Sequence, residues 1–62
     1  MQVQTTRGTI EAGQDVTFKG QPAVITHIEL PTGASPVLFL DVNGTRELAA
    51  IHDRDLTLGT AS

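Results

Sequence analysis

The sequence of 62 residues predicts an all-β fold, and three observations carry that prediction. Val, Ile, Thr and Leu dominate the apolar positions, and these side chains suit a pleated, half-buried surface. Glycines at 8, 13, 20, 33, 44 and 59 divide the chain into segments of strand length. The pair Asn43-Gly44 lies between alternating apolar stretches. That is the strongest short hairpin signal, because a type I′ turn needs positive φ at both central positions.

From the N-terminus, residues 1–11 read as a Thr-rich extended arm or strand. Gln14 to Lys19 is a first core strand and Ala23 to Leu30 a second, joined by a tight Lys19-Gly20-Gln21-Pro22 connection. Val16 and Phe18 point inward from the first, Ala23 and Ile25 from the second. Ile28 comes three residues after Ile25, so it shares that face only if a bulge intervenes. Pro31-Thr32-Gly33-Ala34-Ser35-Pro36 is a loop, since two prolines remove ladder donors and disfavour helix before them.

Val37 to Val42 is the third strand, and the Asn43-Gly44 turn fixes the register of the fourth. Val42 faces Thr45, Asp41 faces Arg46, Leu40 faces Glu47, Phe39 faces Leu48, Leu38 faces Ala49 and Val37 faces Ala50. One side of the hairpin then carries Leu38, Leu40, Val42, Ala49 and Ile51, with Thr45 and Glu47 toward the tip. The other carries Val37, Phe39, Leu48 and Ala50, ending in Asp41 and Arg46, an expected cross-strand ion pair worth little at a surface. Both sides are apolar, whereas a lone antiparallel barrel needs only one. His52-Asp53-Arg54-Asp55 reads as a short 3-10 turn capped by Asp53 or Asp55, and Leu56-Thr57-Leu58 as the closing strand. The predicted organisation is a single domain over 1–62, with a five-stranded barrel core at 12–58 and a tail at 59–62.

Composition removes several classes of function. With no cysteine, neither a disulfide framework nor a thiolate metal site can form. The formal charge is −3, and Arg7, Lys19, Arg46 and Arg54 are scattered, so the clustered cations that displace phosphate counterions are missing. Nucleic acid is therefore disfavoured as a partner. No stretch has the roughly 20 apolar residues that cross a bilayer as a helix, and a soluble, cytoplasmic protein is the expectation. His27 and His52 are the only imidazoles. His27 reads as a surface partner of Glu29 on the same strand face. His52 shares its turn with Asp53 and Asp55, but Arg54 places a cation inside that group, which argues against a metal. No nucleophile elbow or phosphate loop occurs. The expectation is a non-enzyme with no cofactor, no metal and no catalytic residues.

The stretches "AGQDVTFKGQPAVITHI" and "VLFLDVNGTRELAAIHDRDLTL" resemble KOW-type and related Src-homology-3-like barrels, the second matching their distal hairpin, short turn and closing strand. The resemblance covers residues 12–58 and implies an SH3-like barrel with the Leu40 and Ile51 face inside. Residue 14 is Gln where the pattern has Asp. The basic residues of nucleic-acid-binding KOW modules are absent, as is the aromatic ridge that holds proline-rich peptides. Phe18 and Phe39 alone cannot build a methyl-lysine cage.

These readings converge on a protein–protein interaction module, such as a small acidic phage- or plasmid-type accessory or inhibitor protein docking on a larger protein or on a second copy of itself. Its expected interface is Val37, Phe39, Leu48 and Ala50 with the charged rim Asp41 and Arg46. The competing expectation for this face is that the arm around Val3 to Ile10 folds over it. The alternative function is a KOW-like nucleic-acid- or ribosome-associated module.

Overall fold

A computed structural model describes residues 2–58 and contains seven strands: β1 (Gln2–Thr5), β2 (Gly8–Glu11), β3 (Asp15–Phe18), β4 (Gln21–Glu29), β5 (Val37–Val42), β6 (Thr45–Ala50) and β7 (Leu56–Thr57). The expected tail at 59–62 lies outside the described residues. β1 and β2 form a two-stranded sheet, and the others form an antiparallel five-stranded sheet in the order β6-β5-β4-β3-β7. That sheet is curled into a half-barrel rather than drawn shut, because its edges β6 and β7 do not pair with each other. The expected five-stranded barrel, closed or nearly so, is thus an open, curled five-stranded sheet. β7 has only two residues, and both pair with β3.

Two hairpin turns set most of the register. Asn43 and Gly44 have φ of 54° and 82°, and the pairing that follows is the predicted one, from Val42 against Thr45 to Val37 against Ala50. Lys19 and Gly20, at 53° and 78°, make a second two-residue turn between β3 and β4. The expected four-residue connection is thus shorter, and Gln21 and Pro22 already belong to the strand. Pro22 is tolerated there because it pairs with Thr17 beyond the last β4–β5 rung, Ala23 with Val42. No β5 carbonyl waits for its missing N–H.

The register of β4 against β5 slips between Ile25 and His27, leaving Thr26 as the extra residue of a bulge. That bulge returns Ile28 to the inner face, as its spacing from Ile25 requires. The core contains Val16, Phe18, Ala23, Ile25, Ile28, Leu38, Leu40, Val42, Ala49, Ile51, Leu56 and Leu58, which confirms the inward face of every core strand.

The N-terminal segment departs from an extended arm. Thr5 and Gly8 close a hairpin in which the Thr5 hydroxyl accepts from Arg7 N at 3.0 Å and donates to Gly8 O at 2.7 Å. Ile10 of β2 is fully buried in the common core, and Val3 opposite it packs against the same cluster. Backbone bonds from Gly13 N to Ile25 O and from Ile25 N to Gln14 O, at 2.7 and 3.0 Å, tie the hairpin's exit to β4 beside the bulge.

The segment before β7 is also corrected. In place of a 3-10 helix there are separate turns, closed by Asp53 N to Ala50 O at 3.0 Å and Leu56 N to Asp53 O at 3.2 Å. Asp53 Oδ1 accepts from Asp55 N at 2.8 Å, an Asx turn that satisfies the donor locally.

Arg7 fastens the hairpin to these turns. Its guanidinium donates to the carbonyls of Ile51 at 3.0 Å, Asp53 at 3.3 Å and Leu56 at 2.8 Å. The planar guanidinium holds its donors in a fixed fork, so less freedom is lost for each carbonyl it binds. Arg7→Ala is expected to lower unfolding free energy by about 1–2 kcal/mol, the range for charge-assisted bonds at a partly wet site. Urea titration measures it, and an unchanged midpoint would show that the clasp carries no stability.

Candidate interaction surface

The outer face of β4, β5 and β6 is built from three successive rungs. Glu29, Val37 and Ala50 form the first, His27, Phe39 and Leu48 the second, and Val24, Asp41 and Arg46 the third. Strand alternation places the β5 and β6 members outward once Leu38, Leu40 and Ala49 are buried. On β4 the bulge does the same for His27 and Glu29, which would otherwise fall out of phase with Val24. Thr26, the bulged residue, donates its hydroxyl to Phe39 O at 3.1 Å and so braces the centre of the face.

Every expected interface residue lies on this face, though not equally exposed. Leu48 is 59% exposed, Ala50, Asp41 and Arg46 are exposed, and Val37 and Phe39 are half-buried. Phe39 owes part of its cover to His27, whose ring meets it edge-on at 5.4 Å between centroids. His27 Nε2 lies 3.3 Å from Glu29 Oε1, the surface pair expected from the sequence. The N-terminal hairpin commits its apolar side chains Ile10 and Val3 to the core, and Leu48 stays open to solvent.

The expected Asp41–Arg46 ion pair does not form, although the two residues are directly opposed. Asp41 Oδ1 instead accepts from Gly44 N at 2.9 Å, stapling the hairpin turn. A fixed backbone donor three residues away demands less ordering than a long, mobile arginine. Among the described residues Arg46 makes no ion pair, and it is exposed.

Val24, His27 and Glu29 belong to the face but were not singled out as interface from sequence. The signal for them was the Ile25–Ile28 spacing, which fixes the bulge and hence the outward set on β4. At the tip of β4 and β5 a wide-open groove is lined by Asp15, Thr17, Pro22, Val24, Asp41 and Asn43, among others. Among the described residues no group of three or more His, Asp or Glu side chains converges as a metal site. Among the described residues no helix is long and apolar enough to cross a membrane. No protein-family model matches the chain, and no curated protein or solved structure matches it either.

Proposed function

We propose that this protein is a non-enzymatic interaction module of SH3-like architecture, docking on another protein or on a second copy of itself through the outer face of β4, β5 and β6. The observation that carries the reading is Leu48, more than half exposed beside Phe39, Val37 and Ala50 on a face built for burial. The architecture is supported by the strand order, in which the last strand returns to pair with the first strand of the sheet. Two of the four basic residues are occupied within the fold, which disfavours the nucleic-acid alternative. Arg7 is held by three carbonyls, and Lys19 Nζ sits 5.3 Å from the centre of the Phe18 ring.

Leu48→Asp tests this with little risk to the fold. Its stability is expected to stay within about 0.5 kcal/mol of wild type, as for ordinary surface changes. Association with itself, or with a protein that the wild-type chain captures in its native cell, is expected to be lost. Phe39→Asp should act in the same way while remaining folded by circular dichroism. Undiminished binding by both folded variants would refute the proposed face.

A further inference from the structure

We infer that the occupant of this face is a second copy of the chain, packed sheet on sheet about a two-fold axis that follows the diagonal from Val24 through Phe39 to Ala50. The inference rests on the proposed interaction face and adds the partner and the geometry. Its basis is charge complementarity. The face is a grid of three strands by three rungs, with Glu29 and Arg46 at opposite corners.

A two-fold through Phe39 can lie along the strands, across them, or along either diagonal. Along the strands, it sets Asp41 against Asp41 of the other copy and Val24 against Arg46. Across the strands, it sets Glu29 over Val24, Arg46 over Ala50 and Asp41 over Val37, so every charge meets an apolar side chain. The Glu29-to-Arg46 diagonal stacks Glu29 on Glu29 and Arg46 on Arg46. Only the Val24–Phe39–Ala50 diagonal matches the whole grid. It brings Glu29 to Arg46, His27 to Asp41 and Val37 to Leu48 across the interface, and leaves Phe39, Val24 and Ala50 each against its own equivalent.

This axis crosses the strands of the two copies at a steep angle, which is the orthogonal way of packing sheets. Strands about 4.8 Å apart and alternate residues about 6.8 Å apart make the grid roughly 10 by 14 Å. With the axis at about 45° to the strands, close to that diagonal, all four corners miss perfect overlay by about 3 Å, within the reach of the long Glu29 and Arg46 side chains. Arg46 is exposed and makes no ion pair among the described residues, while exposed Glu29 contacts His27 of its own copy through Oε1 at 3.3 Å. The patch buries far less than the roughly 1,200 Å² that marks a stable interface, so the dimer is a weak one that forms as concentration rises.

The experiment is a charge exchange on the full chain, read by sedimentation equilibrium up to millimolar protein, with circular dichroism confirming each fold. Wild type is expected to show a reversible monomer–dimer equilibrium. Glu29→Arg and Arg46→Glu should each weaken it about tenfold or more by opposing like charges. The double variant should restore it. Mixing the two single variants should also restore it, because each then supplies the charge that the other needs. A wild type that stays monomeric at millimolar concentration overturns the inference. So does a dimer indifferent to the exchanges, as when β6 pairs edge to edge. Loss of Leu48→Asp binding to a different protein would leave the proposed face standing in either case.

Discussion

Leu40→Ala is expected to destabilise the protein by about 3 kcal/mol, the middle of the range for removing a buried leucine. Leu40 is 0% exposed in the centre of β5, between Ile25 of β4 and Glu47 of β6. The loss combines the transfer free energy of the deleted atoms with the cavity that remains. For a chain of this size the total stability is only about 3–9 kcal/mol. The melting temperature should accordingly fall by about 12–24 °C. Leu48→Ala, on the opposite side of the same hairpin, should move the stability by no more than about 0.5 kcal/mol. Thermal and urea melts of the two variants decide the matter. Equal losses would mean that Leu48 is core and that the faces have been assigned backwards.

Ile10→Ala should cost a similar amount, about 2–4 kcal/mol, although Ile10 lies outside the five-stranded sheet. The half-barrel alone does not enclose its apolar interior, because its edges β6 and β7 do not pair. The β1–β2 hairpin supplies the missing cover. Ile10 fills the core, Val3 packs behind it, and Arg7 holds the turn against the Ile51 and Leu56 carbonyls. Val3→Ala, at a half-buried position, should cost less than Ile10→Ala. If Ile10→Ala melted like wild type in urea, the hairpin would be an ornament rather than part of the core.

Much of the sheet was legible in the residues. Asn43-Gly44 prescribes a turn type, and turn type prescribes register, so six rungs of β5 against β6 followed from two residues. The Ile25–Ile28 spacing announced the bulge in β4 because a period of two is strict wherever one face is buried. The Lys19-Gly20 turn was harder to read. Lysine seldom takes positive φ, and Pro22 looked like part of a loop until the end of β5 explained its place in the strand. The Asp41–Arg46 pair shows a different limit. Register made them neighbours, but it could not say that a backbone amide would claim the carboxylate first.

The sequence by itself determined the class of fold, the inward and outward residues of the hairpins, and the apolar character of both faces. These follow from local rules, turn chemistry and a two-residue period, that act within a few positions along the chain. Only the tertiary structure decided that residues 2–11 form a hairpin whose Ile10 completes the core, and that the sheet stays open between β6 and β7. It likewise decided that Arg7 spends its guanidinium on carbonyls more than 40 residues away. Such contacts depend on where distant segments meet once the sheet has curled, and no local periodicity encodes that meeting point.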